Sequence, residues 1–155
     1  MTSVAPIDPD HPDARALIAA LDAALAAITG DSGASSFAPD DVRGPRAVFL
    51  LARAPDGTPL GCGALRPFAD HAHVGEIKRM YACPGSGAGA VLLAALEAQA
   101  LALGYREVCL STRRINARAV GFYRRHGYAD APAWGKYVDN PLSVCLGRSL
   151  VSRGA

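Results

Sequence analysis

Between a predicted strand and a predicted helix the chain carries six small residues, Gly85-Ser86-Gly87-Ala88-Gly89-Ala90, whose backbone could bind a phosphate group. A turn that opens a helix presents unpaired N–H groups and the positive end of the helix dipole to one point in space. Glycines there leave room for a ligand and allow backbone angles that other residues avoid. The same six residues would also suit a tight strand-to-helix connection without a ligand, because short glycine motifs often have a purely structural role.

Two familiar nucleotide-binding loops fit this turn less well. No Lys-Ser or Lys-Thr pair follows the glycines, so the turn is not the Walker A loop that contacts β- and γ-phosphates and magnesium. Gly85, Gly87 and Ala90 formally match the GxGxxA pattern of dinucleotide-binding folds. The acidic ribose ligand expected about 20 residues further on is replaced by Thr112 or Arg113. The sequence therefore disfavours a dinucleotide-binding domain.

The elements that would position this turn follow a mixed α/β pattern. Apolar spacing predicts a helix over 13–28, a second helix that follows the glycine turn and ends at Gly104, and a third over 116–126. Strand-like runs cover 47–53, 60–66, 74–83, 107–112 and 142–150, with a polar connection at 70–73 and a loop or short irregular helix at 31–45. The first two runs form a hairpin, and this order predicts one α/β (α+β) sheet with helices on both faces.

Length and composition bound the class of protein. With 155 residues, 50% of them apolar and 19% charged, the chain is predicted to form a single globular domain over 1–155. The sequence has no run of about 18 apolar residues and no leader pattern, which predicts a cytoplasmic protein without a membrane partner. A net charge of +2 does not indicate a nucleic-acid partner. The widely spaced cysteines, Cys62, Cys83, Cys109 and Cys145, are predicted to be buried reduced thiols.

Two segments, taken together, resemble the motifs of the GNAT superfamily of N-acyltransferases. Glu76-Ile77-Lys78-Arg79-Met80-Tyr81, the glycine turn and the following helix look like its cofactor-binding strand, loop and helix. The segment 116–123, followed by Gly127-Tyr128, looks like its second motif, and 140–145 is similar to a bacterial subgroup of small-molecule acetyltransferases. The resemblance covers the chain from about Phe49 onward. It implies a GNAT-like acyl-CoA N-acyltransferase fold with a single mixed, mostly antiparallel central sheet flanked by helices.

The resemblance also implies the donor and its binding residues. Acetyl-CoA would be the acyl-donor cosubstrate, and no metal would be needed. The expected cofactor-binding residues are Met80, Tyr81, Ala82, Gly85, Ser86, Gly87, Ala88, Gly89, Ala90 and Asn116. A backbone N–H near Tyr81 could stabilise the oxygen of a tetrahedral intermediate. Asn116 could bond the cofactor, cap its own helix, or do both.

Glu76 and Tyr123 are the expected catalytic residues. An alkyl ammonium has a pKa of about 10 and must lose a proton before it attacks a thioester. The resemblance places Glu76 where some superfamily members carry a catalytic glutamate, although a structural ion pair with Lys78 is the alternative. Tyr123 would protonate the departing thiolate, or would pack through its ring without a chemical role.

The function that the resemblance implies is transfer of acetyl from acetyl-CoA to a primary amine of a small molecule, amino acid or peptide by direct attack. The superfamily loop usually has an Arg or Gln and about three more residues between Pro84 and the glycines. That difference motivates an alternative, a non-catalytic or weakly active acyl-CoA-binding or regulatory module. Trp134 and Tyr137 either line an acceptor pocket or pack the last strands. The acceptor is not encoded in these motifs, and the oligomeric state, a homodimer included, is left open.

Overall fold

A computed structural model describes residues 1–69 and 71–151 and places seven strands in one mixed sheet. The strands are β1 Ser3–Pro6, β2 Val48–Arg53, β3 Pro59–Phe68, β4 His71–Ala82, β5 Glu107–Arg113, β6 Ala129–Asp130 and β7 Ser143–Ser149. Their order in the sheet is β1-β2-β3-β4-β5-β7-β6. β4 and β5 pair in parallel, and the other neighbouring pairs are antiparallel. The predicted class, a mostly antiparallel mixed sheet flanked by helices, is confirmed.

Within the described residues, three α-helices cover the two faces of this sheet: α1 Pro12–Thr29, α2 Ala88–Ala102 and α3 Ala117–Arg125. Successive residues of β2 alternate between two buried clusters, because side chains of a strand point alternately to opposite faces. Phe49 and Leu51 pack with the α1 residues Ala14 and Leu17. Leu50 joins the larger cluster, which contains the buried leucines of α2 and Tyr123 of α3. We call these two sides the α1 face and the α2 face.

The ends of α1 and α3 lie within one residue of the predicted ends, whereas α2 begins at Ala88, inside the turn predicted over 85–90, and ends at Ala102, before Gly104. Pro12 occupies the first turn of α1, and Gly30 ends it in the left-handed conformation with φ of 80°. The Asn116 side chain accepts a hydrogen bond from the Ala119 amide at the start of α3, at 3.3 Å. Gly127, with φ of 91°, follows its last turn. No helix within the described ranges is long and apolar enough to cross a membrane.

Three strand predictions differ from the structure. The segment 71–73, predicted as part of a polar connection, begins β4, while Asp70 lies outside the described residues. His71 pairs with Phe68 in the β3–β4 ladder and stacks on its ring, so the connection is shorter than its polarity suggested. β1 and β6 were not predicted, because edge segments of four and two residues are too short to show periodicity. The predicted irregular segment 31–45 holds two short 3-10 helices, Ala34–Ser36 and Pro39–Val42, and a third covers Gly135–Tyr137.

All four cysteines are free thiols, as predicted. Cys62, Cys109 and Cys145 are buried, and burial raises the pKa of Cys62 to about 12. Cys83, at the end of β4, is only partly buried. The three buried thiols therefore act as small apolar side chains.

Gly61 in β3 shows how closely β4 and α2 approach this strand, and it gives a test of the packing. A Cβ at Gly61 would lie 2.5 Å from the Tyr81 carbonyl oxygen and 2.7 Å from a Leu92 methyl carbon. We expect Gly61→Ala to lower the free energy of unfolding by about 1–3 kcal/mol, because the backbone oxygen cannot move aside. Gly44→Ala is the matched control, since a Cβ there meets nothing within 4 Å. Urea unfolding of both variants measures the effect, and equal stability would contradict this packing.

Candidate active site

A cleft separates the two parallel strands of the sheet, β4 and β5. β4 and β5 pair only at Val74–Glu107, Gly75–Val108 and Glu76–Cys109, and beyond these pairs no ladder joins them. A cavity of about 330 Å³ opens between the strands and is lined by residues of β4, β5, α1 and α3. β4 stays paired to β3 up to Ala82, so only its β5 side lacks a strand partner. An extended ligand could hydrogen-bond to this unpaired edge.

A bulge in β4 turns its side chains at the cleft. The register with β3 shifts by one residue between Cys62–Tyr81 and Ala64–Lys78, and Arg79 has φ of 54°. Positive φ at a residue other than glycine is strained and needs support from its surroundings. The buried Arg79 guanidinium supplies that support, because it pairs with Asp22 of α1 and bonds the carbonyl oxygen of Ser32.

The glycine turn is compact and leaves several amides available. The Ser86 amide donates to the Cys83 carbonyl at 3.1 Å, and Gly85 at φ of 76° completes a type II turn with Pro84 before it. Gly87, at φ of 71°, is the N-cap residue of α2, so Ala88, Gly89 and Ala90 form the first turn of that helix. The connection from β4 to α2 is thus five residues, 83–87, which agrees with the short loop seen in the sequence.

This turn fits a pyrophosphate. The Ser86 hydroxyl accepts from the Ala88 amide at 3.2 Å. Among the described residues, the amides of Gly87, Gly89 and Ala90 have no backbone partner. They stand at the N-terminus of α2, where the helix dipole favours an anion. The space next to Gly87 is open, because a Cβ there would meet nothing within 4 Å.

The predicted cofactor strand meets the cleft in part. Met80 lines the cavity and contacts the α2-face core. Tyr81 packs on the α1-face core, and Ala82 packs on the α2-face core. Tyr81 and Ala82 do not line the cavity, but they continue the edge of β4 that β5 leaves unpaired.

Tyr123 and Asn116 bring α3 to the cleft. Both residues line the cavity, and Tyr123 is 7% exposed. Burial raises the pKa of the Tyr123 phenol above its ordinary value. The hydroxyl is therefore held in its protonated form at neutral pH. The Asn116 side chain caps α3, so the capping role is observed.

Glu76 lies in a different environment from Tyr123. It is 5% exposed and accepts a hydrogen bond from Arg66 Nε at 2.9 Å. Arg66 also pairs with Asp41 at 2.5 Å. The ion pair of Glu76 is thus with Arg66 of β3, whereas the sequence had suggested Lys78 of its own strand. Glu76 lines a second, more open cavity of about 580 Å³ on the α1 face.

The two cavities adjoin. Their shared lining residues are Ser36, Lys78, Lys136 and Tyr137. Trp134 and Tyr137, both considered from the sequence as acceptor-pocket residues, line the second cavity. The structure therefore brings Tyr123, Asn116 and Met80 together in the first cavity, and Glu76 and Trp134 in the second.

Sequence reasoning missed several residues of the cleft. Lys78 lies where the cavities meet, its amino group bonds the Tyr137 hydroxyl at 3.3 Å, and burial lowers its pKa. Ser111 and Arg113 line the cleft from β5. The alternation along β5 could have shown that these two share a face, but not that β4 separates from β5 beside them.

Comparisons with known proteins agree with this geometry. The sequence model of the acetyltransferase (GNAT) family matches residues 15–128. An "IAA acetyltransferase" from Azospirillum brasilense is 35% identical over 109 residues, which cover 68% of this chain and 70% of that protein. A solved Klebsiella pneumoniae protein, named as an acyl-CoA N-acyltransferase, is 33% identical with a TM-score of 0.80, over 97% of this chain and 99% of that one.

A more distant structure shares the fold with its donor in place. A GNAT family acetyltransferase from Elizabethkingia anophelis, solved with acetyl-CoA bound, is 15% identical, with a TM-score of 0.69 over 96% of this chain and 97% of that one. The family match over most of the chain is the stronger finding. This chain belongs to the GNAT acetyltransferase family and is an N-acetyltransferase.

Proposed function

We propose that this protein transfers acetyl from acetyl-CoA to a primary amine of a small molecule, amino acid or peptide, as one domain spanning 1–155. The observation that carries the proposal is the cleft at the unpaired edge of β4, with the glycine turn following that strand and the Tyr123 phenol in the wall. The amine attacks the thioester directly, which forms the C–N bond and then breaks the C–S bond. The chain's own residues bind the donor, remove one proton and supply another.

The donor is held by backbone groups. The amides of Gly87, Gly89 and Ala90 at the N-terminus of α2 bind the pyrophosphate, because they have no backbone partner and the space next to Gly87 is open. The free edge of β4 at Met80, Tyr81 and Ala82 pairs with the amide-containing arm of the donor in the manner of an added strand. Asn116, beside the same cavity, contributes a polar side chain.

Proton transfer is divided between the two cavities. Glu76 accepts a proton from the incoming ammonium through water, and the Arg66 guanidinium fixes the orientation of its carboxylate. Tyr123 donates a proton to the departing thiolate, a step that requires a protonated phenol, and its phenolate then takes the second proton that the nitrogen loses as the amide forms. Glu76 and Tyr123 reach the reaction from opposite faces of β4, so the amine and the leaving group occupy different sides of the thioester.

Calorimetry with acetyl-CoA, followed by a thiol-release assay on a panel of amines, tests the proposal. We expect binding of acetyl-CoA and release of CoA that depends on at least one amine. Binding without release on any amine would contradict amine transfer, and absence of binding would contradict the donor site as well.

Gly87→Val tests the phosphate site. A β-branched residue is strained at φ of 71°, and the new side chain would fill the space in front of the α2 amides. We expect the Kd for acetyl-CoA to rise about tenfold or more, because one charge-assisted contact is worth at least about 1.5 kcal/mol. Gly57→Val is the matched control, since Gly57 has φ of 91° and equally open surroundings in the β2–β3 turn. Equal Kd values for the two variants in calorimetry would refute the site.

Tyr123→Phe tests the proposed role of the Tyr123 phenol as the proton donor to the departing thiolate. We expect kcat to fall roughly 100-fold or more, with the Kd for acetyl-CoA unchanged, because only the proton donor is removed. Tyr128→Phe is the control, since its ring packs on Tyr123 while its hydroxyl bonds Glu97 away from the cleft. Because burial raises the pKa of Tyr123 above 10.0, wild-type activity should not decline as the pH rises toward that value. Unchanged turnover in Tyr123→Phe would remove this residue from the mechanism.

Glu76→Gln separates a base from a structural ion pair. Both Glu76→Gln and Arg66→Met break the contact between these side chains and should lower the melting temperature. Only Glu76→Gln removes the proton acceptor, so we expect its kcat to fall roughly 100-fold further than that of Arg66→Met. Steady-state kinetics below both melting temperatures measures the difference. A parallel loss in the two variants would contradict a role for Glu76 as a base beyond its ion pair with Arg66.

A further inference from the structure

Two buried polar atoms in the wall of the cleft lack a partner. Within the described residues, the Ser111 hydroxyl and the Arg113 Nε are the buried side-chain polar atoms without a hydrogen bond. Leaving such an atom unsatisfied costs about 1–3 kcal/mol, so native structures usually provide water or a ligand for it. Ser111 and Arg113 lie two residues apart on β5, and both line the first cavity. One ligand group could therefore satisfy both.

These atoms face the acceptor side of the sheet. Val108 and Leu110 of β5 belong to the α2-face core, so the alternation of the strand sends Ser111 and Arg113 to the α1 face. The nearest acidic group to Arg113 agrees with this, because Asp31 follows α1 and its carboxylate lies 4.0 Å from Arg113 Nη1. The glycine turn, in contrast, leads into α2 on the other face. Arg113 is thus separated from the proposed pyrophosphate site.

The charge of the cleft favours an anion. Its lining includes four basic side chains, those of Lys78, Arg79, Arg113 and Lys136, and one acidic side chain, that of Asp31. Asp22 neutralises Arg79. The amino groups of Lys78 and Lys136 bond the neutral hydroxyls of Tyr137 and Ser36. The carboxylates of Glu76 and Asp41 partly compensate the charge of Lys78, whereas Lys136 forms no ion pair within the described residues. Asp31 is 60% exposed and only at the limit of ion-pair distance, so it compensates Arg113 weakly.

We infer that the amine acceptor carries a carboxylate and that Arg113 binds it, with Ser111 donating a further hydrogen bond. This inference rests on the proposed function and names its substrate class, an amino acid or another small amino-carboxylic acid. A guanidinium is the side chain best suited to a carboxylate, since Nε and a terminal nitrogen donate in parallel. Lys136, which lines the same cavity, adds attraction without a fixed geometry.

Matched acceptor pairs test the inference. Each of a panel of L-amino acids is assayed beside its α-amide, in which a neutral carboxamide replaces the carboxylate. The amide has the less basic amine, so the intrinsic chemistry at neutral pH favours the amide. We expect the opposite for this protein, with kcat/KM at least tenfold higher for the acid of the best pair, through a lower KM.

Arg113→Gln should reduce that acid-to-amide ratio by about 10- to 100-fold, in line with the strength of a charge-assisted contact. The reduction should appear as a raised KM for the acid with kcat nearly kept, and Arg113→Lys should restore part of it. Arg106→Gln is the matched control, because Arg106 is exposed and precedes β5 at the end away from the cleft. The Kd for acetyl-CoA should be the same in all three variants.

The outcomes distinguish the two proposals. If amides are acetylated as well as acids and Arg113→Gln leaves the ratio unchanged, the carboxylate site is wrong while amine transfer stands. If Arg113→Gln weakens acetyl-CoA binding, the residue serves the donor and the inference is overturned. If no amine releases CoA, amine transfer fails, and calorimetry of amino acids and their amides against the CoA-loaded protein then decides the site alone. Equal affinities there would overturn it.

Discussion

The structure depends on one incomplete pairing, the contact between β4 and β5. β4 is held by β3 along most of its length, yet β5 joins it at three residue pairs only. Backbone N–H and C=O groups on the facing edges of β4 and β5 beyond those pairs lack a strand partner, and unpaired polar groups are costly to bury without water or a ligand. The separation of two parallel strands therefore creates both an open space and a row of hydrogen-bonding groups along one side of it.

The bulge at Arg79 keeps this edge in place. A residue other than glycine at φ of 54° costs free energy, and here a buried guanidinium held by Asp22 and the Ser32 carbonyl offsets that cost. The same contacts join β4 to α1 and to the segment that follows it. Since that segment also provides Ser36 and Asp31 to the cavities, the bulge links the unpaired edge of β4 to the side proposed for the acceptor.

The sequence predicted the elements better than their arrangement. Periodicity located α1 and the β2–β3 hairpin, and glycine chemistry located the turn before α2 and the C-terminal ends of the helices, although α2 begins at Ala88, inside the turn predicted over 85–90. These features are local, so a short window of sequence contains their cause. The start of β4 was missed because 71–73 is polar on an exposed stretch of strand, where polarity does not distinguish a strand from a loop.

In the candidate active site, too, the sequence predicted residues within one element but not the contacts between elements. Tyr123 and Asn116 could be identified because a motif fixes their spacing on one helix. The Arg66–Glu76 pair joins two strands, and Arg113 matters only because β4 separates from β5 beside it. Alternation along β5 places Ser111 and Arg113 on one face. That their side-chain polar atoms lack a hydrogen-bond partner, however, depends on how the whole sheet is assembled. Contacts between elements therefore lay outside what one sequence could show.

The two faces of β4 suggest why the acceptor is the least predictable part of this molecule. On the α2 face the donor is proposed to meet backbone amides, which are the same for any side chain that permits the turn. On the α1 face the proposed acceptor meets the side chains of Lys78, Arg113 and Lys136, drawn from two strands and an irregular segment. A backbone-built site survives substitution, whereas a site built from side chains changes with each of them. A single Arg113 replacement could thus alter the acceptor without altering the donor, which is how one fold can serve many amines.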